Sequence, residues 1–188
     1  MALGTTVVDI CNSALVKIGG ATITSLSDPT KEATICNLQF AKLRDQVLEA
    51  YPWKFARSRA TLALLGTPPA FGFANAFQLP ADCLNPLKAE DNDVEFKVEG
   101  RIILCDDAAF KLEYIAQVVD PSLYTPGFAE SLACRLAAEL AYAISNNATL
   151  AQTMMAAYKA TLAESRSINA KQGTSDALDV SSWTRSRF

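Results

Sequence analysis

The stretch RDQVLEAYPWKFARSRATLALL, residues 44–65, joins three kinds of predicted structure and decides the fold. The apolar residues before and within it recur at steps of four, three and four, as on one face of an amphipathic helix: Cys36, Phe40, Leu43 and Val47. Pro52 lacks an N–H and disfavours helical geometry at Tyr51. The helix is therefore expected to end at this proline.

The residues around Pro52 predict a structural corner. Trp53 and Phe55 follow the proline directly and, with Tyr51, are expected to fill the core beneath the turn of the chain. Beyond them, apolar and polar residues alternate from Arg59 to Leu65, which is typical of a half-buried strand. A helix, an aromatic corner and a strand are thus predicted to meet at one point.

Capping patterns place the helices. Thr6 and Asp9 have capping-box spacing, Asp28 precedes a proline as an N-cap would, and Thr125 precedes another proline. Asn146 and its neighbour asparagine are expected to separate the last two helices. The four predicted helices span about 5–19, 28–51, 126–146 and 148–171.

Between the second and third helices the pattern favours strands. Period-two alternation runs through a β-rich insert of about 59–116, with a tight turn at Glu99-Gly100. Phe71 and Phe73 lie in a Gly/Pro-rich segment, which either packs on its own domain or reaches a neighbouring copy. The predicted fold class is α+β: an antiparallel helical bundle of about four helices, a small inserted antiparallel β-sheet and an extended C-terminal tail.

Composition argues against an enzyme. A chain of 188 residues is expected to form one domain, which we place at residues 1–172. The sequence contains no histidine, so it lacks the commonest general base and the commonest metal ligand of enzymes. Its five cysteines are odd in number and form no CxxC: Cys11, Cys36, Cys83, Cys105 and Cys134. We expect free thiols in the core, with no cofactor and no metal. The adjacent Asp106 and Asp107 are a weak catalytic candidate because turn aspartates are common.

The charge is unevenly distributed. The chain has a net charge of −3, and residues 81–120 hold ten acidic and four basic side chains. No region is basic enough to predict tight binding of phosphates. We also find no apolar run of membrane-spanning length and no signal peptide, so we expect a protein made inside a cell and free of membranes.

The last residues form a distinct segment. Residues 173–188 show no helical or strand periodicity and end in WTRSRF. Tryptophan, arginine and phenylalanine are typical anchors of protein interfaces. The segment is either a docking tail or a tail folded back on its own domain.

Taken in order, the motifs resemble one family. VVDICNSALVKIGG, RDQVLEAYPWKFARSRATL, FQLPADCL, VEGRIILCDD, IAQVVDPSLYTPGFAESLACRLAAELA and SSWTRSRF together resemble the tail tubular protein A, or head-to-tail adaptor, family of tailed phages, best known in short-tailed ones. The resemblance covers nearly the whole chain.

The resemblance implies a structural virion protein, assembled in the host cytoplasm. Such proteins form a twelve-fold ring below the portal, join the capsid to a tail nozzle or tail tube protein, and surround the channel through which genomic DNA leaves. Their C-terminal segment contacts the portal, and in this sequence the matching residues are Ser182, Trp183, Thr184, Arg185, Arg187 and Phe188. The alternatives are a helical adaptor that forms no ring or, with less support, a hydrolase.

Overall fold

The structure, a computed structural model, describes residues 5–172. Within them lie four α-helices: α1 Val7–Lys17, α2 Lys31–Glu49, α3 Pro126–Ser145 and α4 Ala148–Ala170. The strands are β1 Arg57–Thr61, β2 Ala63–Leu64, β3 Asn75–Gln78, β4 Cys83–Ala89, β5 Phe96–Glu99, β6 Ile102–Cys105 and β7 Lys111–Ala116. Short 3₁₀ turns at Lys54–Ala56 and Pro121–Leu123 connect helices to the β-structure.

The predicted helical bundle with one small inserted sheet is wrong. The strands form two antiparallel sheets, one of three strands in the order β1-β7-β4 and one of four in the order β2-β3-β6-β5. The chain is a mixed α+β domain in which the β-structure has a hydrophobic core of its own. The prediction failed because period-two alternation identifies strands but does not tell which strands pair.

The first two helices begin with side-chain caps. Thr6 and Asp9 form the expected capping box at α1. At α2 the N-cap is Thr30, whose hydroxyl accepts a hydrogen bond from the Ala33 N–H. Asp28 instead closes the preceding turn, where its carboxylate accepts the N–H groups of Thr24 and Ser25. These bonds lower the pKa of Asp28.

Helix α3 is the centre of the helical part. Asn146 takes a left-handed conformation at its end, φ 50°, and Asn147 caps α4, so the two helices form the expected hairpin. Four alanines of α3 are buried inside the chain: Ala133, Ala137, Ala138 and Ala141. These four are therefore not available for side-by-side packing of copies, whereas Ala143 near the end of the helix is exposed.

Strand β7 lies between the two cores. Leu112 and Tyr114 pack into the β core, together with Phe77, Ile103 and Phe110. Ile115 points the other way and belongs to the helical core. One face of the three-stranded sheet therefore packs on the four-stranded sheet. At the opposite face, one end of the sheet contacts the helices and the other end extends away from them.

Candidate functional site

The aromatic corner lies where α2, α3 and β1 meet. Trp53 is fully buried, and its ring makes edge contacts with Tyr51 and Phe128, both at 5.2 Å between centroids. Its indole N–H donates to the Val47 carbonyl at 2.8 Å, which satisfies a carbonyl in the last turn of α2. Phe55 packs edge-on against Phe128 at 5.0 Å. At the predicted corner, Trp53 thus belongs to the helical core, and Tyr51 and Phe55 on either side of it pack against that core next to Pro52.

The end of α4 is fixed to this corner by polar contacts. The Asn169 side chain accepts the Lys54 N–H at 3.1 Å, and Arg166 donates to the Ala50 carbonyl at 2.8 Å. The Arg166 guanidinium also lies 5.3 Å from the centroid of the Tyr51 ring. A cation at the C-terminal end of α2 is favourable because the carbonyl groups there carry partial negative charge. Sequence reasoning missed Arg166 and Asn169, which lie more than a hundred residues beyond their partners.

One side of α4 remains open to solvent. The helix buries only Leu162, Ser165 and Asn169, which face α3 and the corner. Its exposed side carries a row of small residues, here called the small-residue face: Thr149, Thr153, Ala156, Ala160, Ala163 and Ser167. Lys159 and Glu164 flank this row on opposite sides and are the only charged side chains at exposed positions of α4.

The acidic residues of the β-structure gather at its far end. Gln117, just after β7, donates to Asp45 on α2 at 2.7 Å, so the opposite end of β7 points away from the helices. The β4–β5 and β6–β7 connections lie there. Besides Glu90, which pairs with Lys111, they expose five carboxylates, here called the acidic tip: Asp91, Asp93, Glu95, Asp106 and Asp107. Asp106 accepts the Ala74 N–H at 2.8 Å, which gives it a structural role in the turn.

The cysteines are free and buried. Burial raises the pKa of the Cys83, Cys105 and Cys134 thiols. The pKa of Cys11 is raised by its hydrogen bond with Cys36 and by burial. A thiol with a raised pKa is mostly protonated near neutral pH and is a poor nucleophile.

Residues 5–172 contain neither a cluster of metal-ligand side chains nor a helix able to span a membrane. No three side chains of the His, Cys, Asp and Glu types come together there in a way that could hold a metal ion. None of the four helices is both long and apolar enough to span a membrane.

The predicted portal contacts lie outside the described residues, in the predicted tail 173–188: Ser182, Trp183, Thr184, Arg185, Arg187 and Phe188. The described part of the chain ends at Gln172, which lies two residues after the end of α4 and thus close to the aromatic corner.

Comparison with known proteins gives no assignment. No protein-family model matches the chain, and no curated protein matches its sequence.

Proposed function

We propose that the chain is a structural virion protein of a tailed phage, a head-to-tail adaptor of the tail tubular protein A type. It forms a twelve-fold ring on the portal protein, joins the capsid to a tail nozzle or tail tube protein, and contributes to the channel for DNA ejection. Genomic DNA passes through the ring without sequence-specific contacts. The ordered motifs of the sequence first suggest this role.

The single observation that carries the proposal is the small-residue face of α4. A helix that contacts only water usually carries charged side chains on its outer face. The exposed side of α4 instead presents alanine, threonine and serine along most of the helix, from Thr149 to Ser167. Small side chains let a neighbouring backbone approach closely, and Lys159 and Glu164 on opposite flanks give the two edges opposite charge. Both features suit a repeated side-by-side contact between copies.

Two further features fit the proposal. The bonds from Arg166 and Asn169 to the corner fix the end of α4, so the segment that follows Gln172 starts from a rigid point. A chain of sixteen residues reaches at most about 55 Å when extended, which is enough to contact a second protein. In addition, exposed carboxylates such as those of the acidic tip repel phosphates, so DNA would not be retained by them.

The test is native mass spectrometry of the full chain with and without the portal protein encoded by the same genome. The proposal expects a ring of copies on the portal, lost in Ala160→Arg because the long charged side chain would block close approach. Ala108→Arg is the matched control, since Ala108 is exposed in the β6–β7 connection and far from α4.

The outcomes separate the alternatives. Failure of the wild-type chain to assemble on portal would overturn the proposal. A complex with one copy for each partner molecule would support the non-ring adaptor instead. Normal rings in Ala160→Arg, with the variant folded, would show that copies meet through another surface.

A further inference from the structure

The outer face of the three-stranded sheet carries a cluster of cations around one buried carboxylate. The Glu113 side chain is 9% exposed and lies between two arginines of β1. Arg57 Nη1 is 3.0 Å from Glu113 Oε1, and Arg59 Nη2 is 3.4 Å from Oε2. Because 85% of the Arg59 side chain remains exposed, most of its guanidinium faces solvent. Glu113 therefore orients Arg59 without covering it.

Arg59 and Glu113 of this cluster form one wall of a groove of about 360 Å³ at the outer half of the sheet. Lys88 on β4 and Lys111 on β7 complete the wall, and Lys111 Nζ contacts Glu90 at 2.7 Å. With Arg57, the face holds four basic and two acidic side chains, in a chain whose net charge is −3. A local positive excess on an acidic protein favours an anionic partner.

The groove borders an open strand edge. β1 is the outer strand of its sheet, and no other strand of residues 5–172 pairs with its far side. The Leu62 N–H donates to the Phe110 carbonyl at 2.8 Å, which places the even-numbered residues of this stretch in hydrogen bonds with the β7 side. The N–H and C=O groups of Arg57, Arg59 and Thr61 must then point away from the sheet, toward the open edge.

We propose that this edge and groove bind an extended acidic segment of a partner protein. The segment adds as a fourth strand beside β1, with main-chain hydrogen bonds to the outward groups of Arg57, Arg59 and Thr61. Residues directly opposite each other in neighbouring strands share a face, so carboxylates at alternate positions of the segment meet the two arginine side chains. Lys88 and Lys111 extend the same positive surface.

Two other occupants fit less well. A nucleic acid strand has no main-chain N–H and C=O groups spaced as in a β-strand, so it cannot pair with the outward groups of Arg57, Arg59 and Thr61. The acidic tip of a second copy is not an extended strand, because Asp91 and Asp93 lie in a turn closed by bonds from the Asp93 and Val94 N–H groups to Asp91. The inference does not depend on the ring proposed above.

The probe is a fluorescein-labelled peptide in which valine and glutamate alternate, titrated with the full chain and followed by fluorescence anisotropy. We expect saturable binding that Arg59→Gln weakens by about tenfold, the loss of roughly one charge-assisted contact. Arg59→Gln removes the charge without adding repulsion to Glu113. Lys42→Glu, at an exposed position of α2, is the control and should change the affinity by less than about twofold.

Two altered peptides test the two parts of the site. The glutamine analogue should bind about tenfold more weakly, and so should a peptide methylated at alternate main-chain nitrogens, which keeps its charge but cannot pair with β1. Equal binding to Arg59→Gln and wild type would overturn the inference. Tighter, Arg59-dependent binding of a single-stranded oligonucleotide would overturn it in favour of nucleic acid, and Arg59-dependent self-association would overturn it in favour of a second copy.

Discussion

Replacing Trp53 with alanine tests the corner on which both parts of the fold depend. The indole is fully buried and its N–H bonds the Val47 carbonyl at 2.8 Å. Alanine removes the contacts with Tyr51 and Phe128 and leaves the Val47 carbonyl without its donor. The expected loss is about 3–5 kcal/mol of unfolding free energy, the usual cost of replacing a core tryptophan by alanine. Since domains are commonly stable by about 5–15 kcal/mol, this is a large share.

Urea unfolding followed by far-ultraviolet circular dichroism measures this loss. Trp53→Phe separates the two contributions, because phenylalanine keeps a ring in the site but cannot donate to Val47. We expect it to lose about 1–3 kcal/mol. The matched control is Phe71→Ala, since Phe71 is 88% exposed and its removal should change stability by less than about 0.5 kcal/mol.

A result for Trp53→Ala within about 0.5 kcal/mol of wild type would refute the account, since such values belong to surface substitutions. It would mean that the indole does not lie in the core and that the corner is built differently. A loss in Phe71→Ala as large as in Trp53→Ala would also contradict it, because it would place the exposed loop in the core.

Further predictions concern packing, ionisation, thiols and the tail. Gly127→Ala should destabilise the α3–α4 hairpin by about 1–3 kcal/mol, because the new Cβ would lie 2.5 Å from Ser165 Oγ, whereas Gly66→Ala, with open space around it, should be nearly neutral in urea unfolding. Burial raises the pKa of Tyr124 to about 12, so the folded state holds the phenol proton more tightly than the unfolded state does. The free energy of unfolding should therefore fall as the pH rises from about 10 to 12, and Tyr124→Phe should reduce this pH dependence. Titration of denatured, unreduced protein should count five thiols, and a lower count would reveal a disulfide. A chain ending at Gly173 should melt like the full chain but fail to co-sediment with portal; normal co-sedimentation would exclude the tail as the anchor.

Features decided within a few residues were predictable from the sequence. Pro52 ends α2 because proline has no N–H, and the aromatic residues beside it pack under the turn as expected. The paired asparagines at Asn146 and Asn147 separate α3 from α4, one by its left-handed backbone and the other by its cap. In each case a local chemical property fixes the local conformation.

The arrangement of the strands was not predictable in this way. β1 pairs with β7, and β4 joins them on the other side, so strands far apart in sequence become neighbours. Alternation shows which residues share a face, but not the partner strand or its register. The groove between Arg59, Lys88 and Lys111 exists only because of that register. Its one local signal is the spacing of Arg57 and Arg59, which places both on the same face of a strand.

Alanine-rich helices posed a different difficulty. Alanine is a strong helix former and fits both buried and exposed positions, so sequence periodicity could not distinguish the alanines of α3 from those of α4. In the structure, Ala137 is buried under neighbouring elements while Ala160 faces solvent. The difference arises because α3 packs against three other helices, and such contacts between distant parts of the chain cannot be read from a local stretch of sequence.

The two proposed surfaces lie on different cores, and this makes them separable. The small-residue face belongs to α4, whose end is tied to the corner by Arg166 and Asn169. The basic groove belongs to the outer half of the three-stranded sheet, where β7 packs its Leu112 into the β core. The two surfaces have no residue in common. Removing the charge of Arg59 should therefore leave assembly through α4 intact, and placing a bulky residue at Ala160 should leave peptide binding intact. If a folded variant of either kind lost both assembly and peptide binding, the helical core and the β core would be coupled through the corner.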